Sequence, residues 1–266
     1  MRVALKIAYD GTRFHGFQRQ PDVRTVEGEI IRALNDAGIE FSDFKGASRT
    51  DRGVSARGNV IAITTDDERI LNPMVLNSRM EDVWIWGVAV VSDDFHPRFR
   101  ATSKVYRYYL PCIGCNVEKI ERCAEVFIGT HDFSAFSRVD GRDTIRSIEN
   151  VRVERRGRIV VIEVEGRSFL WEMVRRIVSA IKLCSLGMLD REEIKEMLAG
   201  KFRRHRKVPP APPEGLILWD IKYESVKFKV DRKSLEYFQK KIVERFELFA
   251  SLGELYYDLL SFPKSI

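Results

Sequence analysis

From Arg2 to Tyr9 the chain sets Val3, Leu5, Ile7 and Tyr9 against Arg2, Ala4, Lys6 and Ala8. That is the period-two pattern of a strand, and Asp10-Gly11 ends it. Thr25 reads as the N-cap of a helix whose apolar face is Val26, Ile30, Ala33 and Leu34. Glu29 lies near the capping-box position and Gly38 is the stop. A strand, a loop and a strand are predicted over about 44–65, a helix over 73–80 and a strand over 83–91 with Trp84 and Trp86 on one face. The order β-α-β-β-α-β is that of a ferredoxin-like, split βαβ unit, whose sheet commonly leaves one face open to single-stranded bases. Further strands are predicted over 101–110, 148–155, 158–165 and up to Tyr223. In the first of these Tyr106 and Tyr108 point one way and Tyr109 the other. A long helix follows Ser168, its candidate N-cap, and a short one covers 189–199. Leu235, Phe238, Ile242, Val243, Phe246 and Phe249 mark an amphipathic tail helix, continued by Leu255, Tyr256, Leu259 and Leu260. The expected class is α+β: two ferredoxin-like halves sharing a mixed, mostly antiparallel sheet with helices on one side, plus a helical C-terminal extension. The expected boundaries are 1–100, 101–226 and 227–266.

A length of 266 residues suits two small domains better than one core. Forty-five Lys and Arg against thirty-nine Asp and Glu leave a charge of +6, which permits a polyanionic partner without demanding one. No stretch approaches the 18 or more apolar residues of a membrane span, and the N-terminus enters a strand where a signal peptide would need an apolar core. No membrane partner and a cytoplasmic location are therefore expected. The four cysteines give no disulfide framework for a chain of this size. Cys112 and Cys115 form a lone C-x-x-C, and a zinc site would need two more ligands, for which Cys123 and His131 are the only nearby candidates. Ordinary reduced thiols and no metal are the expectation.

The candidate chemistry sits in Lys45-Gly46-Ala47-Ser48-Arg49-Thr50-Asp51-Arg52-Gly53-Val54-Ser55-Ala56-Arg57-Gly58. Asp-x-Gly is ordinary turn chemistry, and those three residues alone say no more. The longer string Arg-Thr-Asp-x-Gly-Val-x-Ala resembles the signature of the TruA family of tRNA pseudouridine synthases. Ser48 stands where that family commonly has Gly, and Ser55 where it has His. Similar strings follow the same order over about residues 2–224: Tyr9 to Gln20, Asp93 to Phe99, Tyr106 to Tyr108, His131 to Arg138, Met173 to Arg175 and Glu214 to Leu216. Beyond Tyr223 the resemblance ends. The tail is expected to dock on the core or on a second subunit, and a homodimer is the expected assembly.

The resemblance implies isomerisation of uridine to pseudouridine in tRNA, at anticodon-stem positions 38–40, with Asp51 as nucleophile. It also implies that Tyr106 stacks on the target base and that Arg175 reaches the carboxylate. Arg49 with Arg175 would keep that carboxylate charged. Attack at C1′, attack at C6 and a glycal route all stay open, and Tyr106 is a candidate for removing the C5 proton. The reaction moves no net electrons and no Gly-rich dinucleotide fingerprint is present, so no cofactor is expected. Arg19, Arg24 and Arg52 are candidates for the RNA backbone, as are Arg203, Arg204, Arg206 and Lys207 in the densest basic run, which the following prolines stiffen. His96, beside a proline, reads as a structural hydrogen-bonder. The alternatives are a non-catalytic RNA-binding protein on the same fold and a pseudouridine synthase with another RNA target.

Overall fold

Alternating apolar residues build a single sheet whose strands run through both halves of the sequence. The computed structural model describes residues 1–138, 141, 143–201 and 207–260. In chain order the elements are β1 (Arg2–Tyr9), α1 (Val26–Asp36), β2 (Ser42–Gly46), β3 (Ser55–Thr64), α2 (Met74–Asn77), β4 (Val83–Val91), β5 (Ser103–Pro111), α3 (Val117–Ala124), β6 (Gly129–Asp132), β7 (Ile145–Arg156), β8 (Ile159–Gly166), α4 (Met173–Ser185), α5 (Arg191–Leu198), β9 (Leu216–Lys222), β10 (Lys229–Val230) and α6 (Arg232–Leu260). The strand order is β10-β4-β1-β3-β9-β5-β8-β7-β6, with β2 also paired to β3. The pairing is antiparallel everywhere except between β3 and β9, where Ser55 faces Ile217 and Ala56 faces Leu218. This short parallel joint is where the strands of the first hundred residues meet those of the second stretch.

Thr25 caps α1 as expected, its side chain accepting from the Gly28 N–H at 3.2 Å. The predicted second helix shortens to four residues. Asn77 ends it, because its amide exchanges hydrogen bonds with the backbone of Ile85 (both 2.8 Å) and ties the turn to β4. Ser168 is not the cap of α4. That helix starts five residues later, after Glu172 in the left-handed region at φ 61°. Residues 169–172 instead form a wall of the cavity described below.

The alternation in β1 does not leave an open face. Arg2 is 1% exposed, satisfied by the carbonyls of Phe95 and Asp43, the Thr64 hydroxyl and the Asp43 carboxylate. Lys6 is covered by Trp86 and Phe228 and paired with Asp220 at 2.5 Å. The tail supplies more of this cover. Phe238 of α6 packs on Trp84 at 4.8 Å, and Arg245 binds Asp10 at 2.8 Å and also Asp82. Near its end Glu254 pairs with Arg158 in the β7–β8 turn, whose guanidinium lies 3.8 Å over Tyr257. The helix thus runs from β4 to the β7–β8 hairpin, tying together strands far apart in the sheet.

The thiol expectation is corrected: Cys112 is bonded to Cys115 and Cys123 to Cys184. Sequence spacing could not reveal the second pair, because it forms only when α3 packs on α4 and brings Cα atoms 61 residues apart to 6.1 Å. Closing a loop of that length removes chain entropy worth about 4 kcal/mol from the unfolded state. Reduction, or Cys184→Ser, is therefore expected to lower the melting temperature in calorimetry, with Cys115→Ser doing so less because its loop is short. Equal melting temperatures with and without reductant would remove the staple from the account.

Candidate active site

The loop between β2 and β3 is built to hold one carboxylate still. Gly46, the last residue of β2, leaves room for Phe17, whose ring would lie 2.8 Å from an added Cβ. Asp51 and Val54 close a tight turn, the Val54 N–H donating to the Asp51 carbonyl at 3.1 Å. Gly53 stands in that turn at φ +83°, a conformation available to glycine without strain. The turn reading of Asp-x-Gly therefore holds, and the turn leaves the Asp51 carboxylate facing α4. Four side chains from the surrounding sheet anchor the rest of the loop. Lys104 donates to the Ala47 carbonyl (2.8 Å), and Asn59 donates to the Ser48 carbonyl (2.9 Å). The Tyr9 hydroxyl bonds Thr50 Oγ1 (2.9 Å), and the Tyr106 hydroxyl bonds Ser48 Oγ (3.0 Å). Lys104 is so deeply placed that burial lowers its ammonium to about 8.

Opposite the loop stands the first turn of α4. Arg175 Nη1 lies 3.2 Å from Asp51 Oδ2. Its Nε donates to the Ala211 carbonyl at 2.7 Å, while its own carbonyl accepts from the Ala211 N–H at 3.1 Å. The proline-rich stretch after the basic run thus fixes the guanidinium from behind. A cavity of about 1110 Å³ opens over the pair, lined among others by Arg49, Arg52, Tyr106, Phe169 and Trp171. It exceeds the roughly 300–1000 Å³ of ordinary small-molecule sites. Phe169 meets Tyr106 edge-on at 5.0 Å, holding the tyrosine ring upright in the wall.

Residues 123–224 match a family model described as tRNA pseudouridine synthase. A protein of Pyrococcus furiosus named tRNA pseudouridine synthase A is 71% identical over 98% of this chain and 98% of its own length. Proteins of the same name from Pyrococcus abyssi (98% of this chain, 99% of its own) and Pyrococcus horikoshii (97% and 99%) are 65% and 60% identical. The chain belongs to the tRNA pseudouridine synthase A family. Among solved structures, a Cbf5-Nop10-Gar1 complex aligns with 67% of this chain and 44% of that one, at a TM-score of 0.36 and 14% identity. A likeness that low carries no weight for the fold or the site.

The electrostatics of the site centre on Asp51. Burial pushes its carboxyl above the usual carboxylate range; the Arg175 charge and hydrogen bonds from Arg175 and Trp171 pull it down without cancelling the rise. Burial also raises the Tyr106 phenol to about 12. Tyr106 therefore stays a phenol at neutral pH, packed on Phe169 and hydrogen-bonded to Ser48.

The expected site residues separate on inspection. Asp51, Tyr106 and Arg175 come together. Arg49 and Arg52 line the cavity with exposed side chains, but Arg49 makes no ion pair with Asp51; among the described residues Arg175 does. Arg24 is engaged internally by Asp82 (2.9 Å) and Glu29 (3.5 Å) and covers the Phe14 ring, so its charge is already matched. Arg19 is exposed beside the cavity-lining Gln18 and Gln20. Lys207 reaches the Ser137 carbonyl at 3.5 Å, and Arg203, Arg204 and Arg206 lie outside the described residues. Trp171 and Ser48 were missed. Ser48 was visible only as a departure from the family's glycine, and Trp171 looked like one more helix residue. Trp171→Phe removes a donor to ionised Asp51, so its carboxyl rises further. The acid limb of the pH–rate profile for the single-turnover reaction is expected to move to higher pH, and further in Arg175→Met. An acid limb left in place by both variants would contradict this role.

Proposed function

We infer that the chain isomerises uridine to pseudouridine in the anticodon stem-loop of tRNA, at positions 38–40, with Asp51 as nucleophile. The observation that carries this reading is a half-buried carboxylate, fixed by a rigid loop and faced by Arg175, at the bottom of a cavity larger than one nucleotide requires. The reaction breaks N1–C1′ and forms C5–C1′ while one proton leaves C5 and one arrives at N1, so atoms and electrons balance. A carboxylate can bond to the open nucleotide and leave again. A uridine in a stem must be turned out of the stack at a cost of a few kcal/mol, and stacking on Tyr106 can return about 1–3 kcal/mol. Arg49 and Arg52, with no carboxylate in ion-pair distance among the described residues, suit the phosphates on either side. Lys207, with Arg203, Arg204 and Arg206, is a further phosphate-contact candidate on the charge of the sequence alone. A cytoplasmic location fits a tRNA substrate.

The assembly we infer is a homodimer. Phe246, Phe249, Tyr256 and Leu260 lie on one face of α6, at spacings of three, seven and four residues, each more than 60% exposed. A stripe of that length is better covered by a second copy than left in water. Phe246→Glu with Phe249→Glu is expected to halve the mass in sedimentation equilibrium; an unchanged mass would place the contact elsewhere.

Asp51→Asn is nearly isosteric and not nucleophilic, so it is expected to abolish isomerisation while retaining the fold and most tRNA affinity. Turnover by the Asn variant near the parent rate would remove Asp51 from the mechanism. Tyr106→Phe is expected to keep binding and stacking, and Tyr106→Ala to lose both, with a filter-binding and rate comparison as the check. Equal behaviour of those two variants would count against stacking.

A further inference from the structure

Phe99 lines the same cavity as Asp51 and yet is 70% exposed. It stands at the end of a tight turn in which the His96 carbonyl accepts from the N–H groups of Phe99 (3.1 Å) and Arg100 (3.0 Å). The His96 ring packs against the Phe99 ring at 4.3 Å, and the Arg98 guanidinium lies 5.8 Å from its centre. His96 is itself fixed, because the Arg98 N–H donates to its Nδ1 at 3.2 Å. Burial and the neighbouring Lys45 and Arg2 lower the pKa of that ring, so it backs the phenyl as a neutral plane. Arg100 is paired with Asp94 at 2.5 Å, whereas no carboxylate among the described residues comes within that range of Arg98. The result is one aromatic face held rigidly toward solvent beside an unneutralised cation.

A protein partner would call for a contiguous apolar patch around such a ring. Here the neighbours are cationic, and Arg49 and Arg52 line the same cavity. A π-face with a phosphate-binding arginine next to it suits a nucleotide of single-stranded character. Turning the target uridine out of the helix leaves its neighbours partly unstacked, and one of them then needs a new surface. We propose that Phe99 is a stacking platform for the unpaired base adjacent to the target uridine, with Arg98 contacting the phosphate between them. This rests on tRNA being the substrate. Tyr106 takes the target base on one wall and Phe99 its neighbour on the wall formed by the 96–99 turn and β2.

The test uses the full chain in an Asp51→Asn background, so that binding is read without turnover. Dissociation constants for unmodified tRNA are compared for Phe99 and for F99A, F99L and F99W. A stem-loop RNA carrying 2-aminopurine on either side of the target position reports stacking through quenching. F99A and F99L are expected to weaken binding about five- to hundred-fold and to abolish quenching at one of the two positions, while F99W stays within about two-fold of Phe99. Because the ring is exposed, all four proteins are expected to melt together, and F99W keeps a reading if F99A does not. Phe99-like affinity and quenching in F99L would overturn the proposal, since leucine keeps the apolar area and lacks the π-face. Failure of the Asp51 parent to form pseudouridine bears on the activity alone, because quenching decides the platform by itself.

Discussion

The ion pair between Asp51 and Arg175 is the contact on which the arrangement depends. Its members come from elements 124 residues apart, a loop beside β3 and the first turn of α4. What holds them in register is the parallel joint of β3 with β9, immediately after the loop in one strand and immediately after the proline-rich segment in the other. Leu218 of that joint also pairs with Tyr106. One set of backbone bonds therefore sets the positions of carboxylate, guanidinium and aromatic wall together. Burying the carboxylate opposes its ionisation, and the arginine and indole restore part of what burial removes. A carboxylate only partly compensated is a better nucleophile than one fully neutralised by surrounding donors.

The same constraint explains polar residues where a sheet would favour apolar ones. Asn59 is fully buried in β3, Lys104 is buried in β5, and Tyr9 ends β1 with its hydroxyl inside. Each uses that position to hold a loop atom: a carbonyl at Ala47 or Ser48, or the hydroxyl of Thr50. Local preference is violated where the site needs rigidity, the pattern expected of functional regions. Glu172 belongs with them. Its left-handed backbone delays the start of α4, turns Trp171 into the cavity and lets its own carboxylate bind Arg176 one turn on.

Much of this was legible in the residues. Period-two runs gave β1 and β4 to the residue, and Thr25 and Gly38 bounded α1, because those signals are local. Asp51, Tyr106 and Arg175 were picked out by strings whose order survives folding. What could not be read was whatever depends on contacts between distant segments. The covered face of β1 needs Phe228, Trp86 and Asp220 to neutralise Lys6; the Cys123–Cys184 bond needs α3 on α4. The matched charge of Arg24 needs Asp82, fifty-eight residues away. The late start of α4 has a different cause: Ser168 is a good cap locally, and the cavity wall overrode it. Charge runs misled in the same way, since Arg24 and Arg52 look alike in sequence and only their neighbours tell them apart.

The most direct test of the account is to incubate the chain with unmodified tRNA and map pseudouridine at single-nucleotide resolution. The account predicts isomerisation confined to uridines 38–40 of the anticodon arm, where one target and its neighbours can enter the cavity together. Pseudouridine elsewhere in the tRNA, or none at all with folded protein and intact tRNA, would contradict it.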